Sequence, residues 1–339
     1  KSTHIQSLIN ENSLLVSNEI IKQRVNVLNE NLVKWGGANT IVTNNDPAHF
    51  ARLEGYFDVM MVDAPCSGSG LFRRDENAIE EWSPNNVALC SQRQQRILAD
   101  AWPSLKEGGI LIYSTCSYSR QENEHILDWL AESFSVESLP IDISDFPGIV
   151  SVGSPIAKFI GYRFYPDKIE GEGFFIAVLR KTDGTDTGAS PPKKKTLRIT
   201  ANELSMIQPW LTEGIERSFF KQQDDILALP ASFENDLVHL QQALYIRKAG
   251  LVIGKTTVKD LVPDHQLAMS SWVAEKINSI ELPYTQAIQY LRKDEVHIEG
   301  AVPGWNLVKF NGHNLGWAKI LANRTNNYYP KEWRILKKI

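Results

Sequence analysis

Cysteine is scarce: 339 residues contain three, Cys66, Cys90 and Cys116. So small and odd a count argues against a disulfide-built secreted scaffold and fits a reduced, cytoplasmic setting. No run of about 18 apolar residues is present to cross a bilayer as a helix, and the opening KSTHIQSLIN is too polar for a signal peptide. Charge of one sign is missing as well. With 36 basic against 40 acidic residues the net charge is −4, so any basic footprint for a nucleic-acid partner must be local. Internal repeats are absent, and the one biased tract is short. What is present is an apolar content of 42% over a length sufficient for two or three domains with their own cores.

Over residues 1–181 short β-like runs alternate with helical stretches, the rhythm of a doubly wound, Rossmann-like α/β sheet. THIQSLIN reads as a helix end, SLLVSNE as a strand, IIKQRVNVLNENLVKW as a helix and NTIVTNND as a strand. FDVMMVDAP follows as a strongly apolar buried strand, then the helix NVALCSQRQQRILADAW, the strand GGILIYSTC, the helix ENEHILDWLAES and the late strands YRFYP and GEGFFIAVLRK. Open parallel sheets bind ligands outside the carboxyl ends of their strands, so Glu19, Asp46, Asp63 to Gly70 and Ser114 to Ser119 are expected around one crevice. Residues 182–196, TDGTDTGASPPKKKT, read as a linker. Residues 197–262 form a small mixed domain, with a helix in NELSMIQPWL and a hairpin in LYIRKAGLVIGK turning at Ala249-Gly250. The last segment, 263–339, opens with helical MSSWVAEKI and TQAIQYLRK and continues as glycine-punctuated strands, GWNLVKFNGHNLGWAKILANR, a compact β-barrel-like module.

Two loops carry chemistry. Asp63-Ala-Pro-Cys66-Ser-Gly-Ser-Gly70 sits directly after FDVMMV, where a proline and two glycines make an irregular loop that sets an acid beside a thiol. Ser114-Thr-Cys116-Ser-Tyr-Ser119 follows ILIY. If the two strands are neighbours, their ends lie about 5 Å apart and both thiols converge on one pocket. A thiolate is a strong nucleophile once local donors or charge stabilise it. Addition of a thiolate to carbon 6 of a pyrimidine breaks the 5,6 double bond and makes carbon 5 an enamine-like nucleophile toward a methyl donor. An aspartate hydrogen-bonding the N3 and amino edge of cytosine would stabilise the developing charge, and a second thiol would assist release as general acid or base. Position alone leaves both thiols eligible as the nucleophile; the bland alternative for either is core filler.

DAPCSGSG, and STCSYS with Glu122-Asn123-Glu124, resemble the fourth and sixth motifs of the NOL1/NOP2/Sun family of RNA cytosine-5 methyltransferases, and the strand from Gly171 is similar to its eighth. The likeness extends through Arg73-Arg74, Trp82-Ser83 and Gln94 to Leu98. The resemblance implies S-adenosylmethionine as cofactor, Cys116 as the nucleophile and Cys66 as the thiol for product release. By the same carry-over Glu19 holds the ribose hydroxyls, Asp46 lies near the adenine, and Asp63 borders both cofactor and base. A strand-end acid can equally be a helix cap. The family's first motif, a strand and a loop ending in Lys-Ser/Thr, is represented by Lys1-Ser2-Thr3 alone, so a longer natural protein is expected, with open strand edges where its first strand would lie.

The carboxyl-terminal half resembles the extension of the bacterial 16S ribosomal RNA methyltransferase F type, with a PUA-like RNA-binding module. The residues concerned are Arg247 to Gly250, Val262 to Met269, Gln289 to Arg292, Gly304-Trp305, Gly316 to Lys319 and Asn327 to Pro330 with Arg334. Lysines and arginines among Trp and Tyr suit phosphate contact and base stacking; alternatively Trp305 and Trp317 are core, and Lys193 to Lys195 are a solvated linker run. The expectation is a monomeric RNA methyltransferase acting on ribosomal RNA or the small subunit. Two alternatives stand beside it: a catalytically silent RNA-binding fragment, and a redox pair of converging thiols.

Overall fold

The computed structural model describes residues 1–184, 198–258, 260–296, 298 and 301–337, so nearly all of the linker 182–196, Lys193 to Lys195 included, lies outside the described residues. The chain opens with α1 (Ser2–Leu8), β1 (Leu15–Asn18), α2 (Lys22–Trp35) and β2 (Thr40–Thr43). It continues through β3 (Phe57–Asp63), α3 (Glu76–Glu81), α4 (Pro84–Ala101), β4 (Leu105–Thr115), α5 (Glu124–Ser133), β5 (Val136–Ser138), β6 (Val150–Gly153), β7 (Ile160–Phe164) and β8 (Phe174–Lys181). Then come α6 (Ala201–Ile207), β9 (Arg217–Gln222), β10 (Asp225–Pro230), α7 (Glu234–Ala243), β11 (Ile246–Ala249), β12 (Leu251–Thr256) and β13 (Leu261–Pro263). The last elements are α8 (His265–Met269), β14 (Ser279–Glu281), α9 (Tyr284–Arg292), β15 (Gly304–Phe310), β16 (His313–Leu321) and β17 (Arg324–Asn327). Among the described residues no helix is long and apolar enough to cross a membrane.

Two compact units result, Asp46–Ser190 and Lys1–Asn45 with Pro191–Ile339, a division that cuts across the segment 1–181. In the first, a six-stranded sheet runs β3-β4-β8-β7-β6, with β5 also paired to β8. β3 and β4 are parallel, Asp63 opposite Ser114, and β8 runs antiparallel to β4. Side chains of β4 and β8 pack with α4 and α5 into one core containing Leu98, Leu111, Tyr113, Ile126, Leu127, Leu130 and Phe175. Helix α4 starts where the Ser83 side chain accepts a hydrogen bond from Asn86 N and Pro84 takes the first turn. It buries Val87, Cys90, Gln94, Leu98 and Ala101, a single stripe at helical spacing. Strand β3, expected to be fully buried, ends the sheet: among the described residues β4 is its one partner, and Val59 is 55% exposed.

In the other unit β1 and β2 are parallel, and β11 joins the far edge of β2 antiparallel. The hairpin expected at Ala249-Gly250 therefore does not form. Gly250, at φ +62, instead sends its amide to Thr40 O and redirects the chain, so that β12 pairs with β10 in the sheet β13-β12-β10-β9. One left-handed residue re-aims a strand; it does not supply the two-residue turn of a tight hairpin. The helix expected in MSSWVAEKI is also absent: α8 ends at Met269, where Ser270 adopts an extended conformation and turns follow. The third sheet, β14-β15-β16-β17, contains the anticipated glycine-punctuated strands.

Candidate active site

The thiol loops begin where a parallel ladder stops. Ala64 N donates to Ser114 O at 2.9 Å, one residue past the last pair of β3 and β4, and Pro65, with no amide hydrogen, ends the pairing. Cys66 follows on one strand and Cys116 on the other, both half-buried. Their Sγ atoms lie 2.7 Å apart, either one able to donate. The convergence expected from neighbouring strands is thus present. The hydrogen bond to Cys116 and then burial push the Cys66 thiol well above the usual thiol range. Cys90 stands apart as part of the α4 stripe, its thiol raised chiefly by burial.

Beneath the thiols lies a polar layer. Glu122 is fully buried, in the turn Arg120–Glu122 before α5. Its Oε1 accepts from Ser67 N at 2.7 Å, and its Oε2 accepts from Ser67 Oγ at 2.6 Å and Ser117 Oγ at 2.5 Å. Gln94 Nε2 donates to Pro65 O at 2.9 Å and reaches Glu122 Oε1 at 3.4 Å. Asn123 receives the Thr115 hydroxyl at 2.6 Å and donates to Ser117 O at 2.7 Å. At the side, Arg163 makes a two-pronged pair with Glu124, 2.7 and 2.6 Å, and donates to Tyr118 O at 2.9 Å. Tyr118 stacks on Tyr165 with ring centroids 5.7 Å apart.

The expected cofactor residues each have a local environment. Asp63, exposed at the end of β3, accepts from Ser114 Oγ at 3.2 Å. Asp46 caps the turn Pro47–Arg52 by accepting from Ala48 N and pairs with Arg96 at 3.3 Å; the backbone hydrogen bond leads in holding its carboxyl below the usual range. In the other unit, Glu19 accepts from Ile21 N at 3.0 Å and pairs with Arg24 at 3.3 Å, while Lys1 stands exposed at the start of α1. Asp46 therefore caps its helical turn and Glu19 closes the turn before α2, duties open to strand-end acids.

Residues 1–180 match the family model described as 16S rRNA methyltransferase RsmB/F. The chain belongs to this family. Residues 277–335 match the methyltransferase RsmF PUA domain. Ribosomal RNA small subunit methyltransferase F of Aeromonas hydrophila is 32% identical, covering 98% of this chain and 71% of that protein. Its namesake in Shewanella loihica is 30% identical over 98% of this chain and 69% of its own length. Among solved structures, NSun6 from Pyrococcus horikoshii has 28% identity and a TM-score of 0.46, covering 54% of this chain and 45% of that one.

In this RsmB/F-family chain the PUA-domain tryptophans serve as core: Trp317 is fully buried and Trp305 8% exposed. Lys319 lies over the Trp305 ring at 5.1 Å, and Tyr328, 40% exposed, packs edge-on against it at 4.4 Å. Glu122 and Gln94 fall inside the family-like motifs, but the motifs give neither a task. Gln94 had a signal, being a polar residue on the apolar stripe of α4 between Cys90 and Leu98. Arg163 had none, since its partner Glu124 is 39 residues away.

Proposed function

We propose that this protein transfers a methyl group from S-adenosylmethionine to carbon 5 of a cytosine in 16S ribosomal RNA, through a covalent bond between Cys116 and carbon 6, working as a monomer in the cytoplasm. The observation that carries the proposal is the pair of thiols 2.7 Å apart at the carboxyl ends of adjacent parallel strands, with Asp63 at the same sheet end. Family membership supports it, as do the relatives named ribosomal RNA small subunit methyltransferase F and the PUA-domain match.

The chain's own groups divide the work as follows. The two sulfurs share a hydrogen bond in which either can donate; with Cys66 as the donor, Cys116 is the acceptor, the polarity a Cys116 thiolate requires. The Cys116 sulfur adds to carbon 6, and Asp63 hydrogen-bonds the N3 and amino edge of the ring as charge develops there. After the methyl group is in place, a base takes the proton from carbon 5, the electron pair left behind re-forms the 5,6 double bond and expels the Cys116 thiolate, and Cys66 assists release by donating its proton to that leaving sulfur. The donor set fits the cofactor: Glu19, Asp46 and Asp63 lie at or just past the ends of parallel strands, and carboxylates accept from ribose hydroxyls and an adenine amino group. The family resemblance assigns Lys1, Glu19, Asp46 and Asp63 to S-adenosylmethionine, which would supply the electrophilic methyl. Full-length protein with labelled cofactor and ribosomal RNA tests the scheme: Cys116→Ala should abolish incorporation at carbon 5, and persistent methylation would sink the assignment.

One observation favours a second reading, RNA binding without catalysis: Glu19 and Asp46 are both engaged by their own turns. Calorimetric titration with S-adenosylmethionine separates the two, since micromolar binding overturns the silent alternative.

A further inference from the structure

We propose that Glu122 is a positioning residue that sets the separation of the two thiols in the methyl-transfer site; its role in the reaction rests on the function proposed above. Each thiol is followed in sequence by a serine, Ser67 after Cys66 and Ser117 after Cys116, and both hydroxyls donate to the same oxygen, Glu122 Oε2, at 2.6 and 2.5 Å. The Ser67 amide donates to the other oxygen at 2.7 Å. One carboxylate thus holds three donors from two loops that are 50 residues apart at their cysteines. Gln94 ties the first loop one residue before Cys66, through Pro65 O, and approaches the same carboxylate. Asn123 ties the second loop through Ser117 O. Displacement of the backbone beside either cysteine therefore requires breaking a hydrogen bond that ends on Glu122 or its neighbours.

The chemistry of the group matters. A carboxylate is acceptor-only and can take all three donors at once, whereas a carboxamide has one oxygen and must turn its amino group toward atoms that now donate. Glu122 is fully buried, so it cannot touch substrate. Its immediate partners are neutral amides and hydroxyls. A charge kept in that setting bears the desolvation of burial, and an apolar side chain would generally fill such a space at less cost. Stability alone gives weak reason for an acid here; holding two loops in register gives a strong one. Tyr113 anchors the anchor, its hydroxyl donating to Glu122 O at 2.6 Å inside the core.

The test reads thiol separation directly. In glutathione buffers the pair passes two electrons and two protons to oxidised glutathione, forming one Cys66–Cys116 bond and two reduced glutathione molecules. The equilibrium constant reports the effective concentration of one thiol at the other. Glu122→Gln is expected to lower that constant by about tenfold, equivalent to about 30 mV, with the bridge verified by mass spectrometry and circular dichroism unchanged. In the same variant kcat should fall by a similar factor, while KM for RNA stays within about threefold, the mark of a lost transition-state arrangement rather than lost binding. If Glu122→Gln does not fold, Ser117→Ala, which removes one of the donors, decides by the same titration. A folded variant with an unchanged constant overturns the proposal. A lowered constant in a protein whose Cys116→Ala form still methylates RNA leaves the positioning role standing and removes the proposed reaction.

Discussion

Gly173 N donates to Gly70 O at 3.0 Å, while Gly70 N donates to Cys116 O at 2.8 Å, so two glycines carry the contact between β8 and both thiol loops. A Cβ on Gly70 would lie 2.6 Å from Cys116 O and from Gly173 O, and one on Gly173 would collide with the Tyr118 hydroxyl. Gly70→Ala must push the Cys116 loop, the Gly173 backbone or its own thiol loop out of place. Methyl transfer is expected to drop at least about tenfold, because displacement of a reacting group by even 1 Å is costly, with a stability loss of about 1–3 kcal/mol for overpacking. Urea unfolding beside single-turnover kinetics checks this, and an active Gly70→Ala would contradict it.

Cys66 and Cys116 should be separable by what accumulates. With Cys66→Ala the bond from Cys116 to the base is expected to form but release slowly, leaving protein attached to RNA on a denaturing gel. The double variant Cys66→Ala, Cys116→Ala should show no adduct. An adduct that survives loss of Cys116 would move the nucleophile elsewhere.

Arg163 and Glu124, 5% and 4% exposed, form a buried two-pronged ion pair. Removing one partner strands the other charge, so Arg163→Met should cost about 3–5 kcal/mol and free the Tyr118 carbonyl it holds. Arg163→Met with Glu124→Leu should regain most of that stability yet not the activity, since Tyr118 O stays unheld. Denaturation of the single and double variants gives the coupling directly, and additive losses would argue against it.

Burial pushes the Lys248 ammonium down to about 7, where its Nζ donates to Thr40 Oγ1 and Gly250 O. Its folded value lies below the unfolded 10.5, so between those values the unfolded chain binds the extra proton and stability rises with pH. The slope is at most about 1.4 kcal/mol per pH unit. The nearby Asp264 carboxyl, raised to about 6 chiefly by burial, titrates below this window. The urea midpoint of wild type should increase from about pH 7.5 to about pH 9.5 while that of Lys248→Met stays level; parallel behaviour of the two would refute it.

Much of the thiol site was legible because its signals are local. An apolar strand followed by Asp63-Ala-Pro-Cys66, and another followed by Cys116, mark strand ends by side-chain pattern alone, and parallel neighbours then bring the sulfurs together. Glu19 and Asp46 were legible as strand-end acids, but not their engagement by Ile21 and Ala48, which depends on how each turn closes.

By itself the sequence determined the longer helices and strands through β8, though not α3, β5 or β6, together with the helical stripe of α4 and the two thiol loops, since periodicity and turn chemistry act within a few residues. Only the tertiary structure decided that β11 pairs with β2 rather than with β12, that β3 stands at a sheet edge, and that Glu122 gathers Ser67 and Ser117 onto one carboxylate. Those outcomes are pairings between segments up to some 200 residues apart, chosen by which open edge and which buried donors the rest of the fold leaves available, and no local pattern encodes that choice.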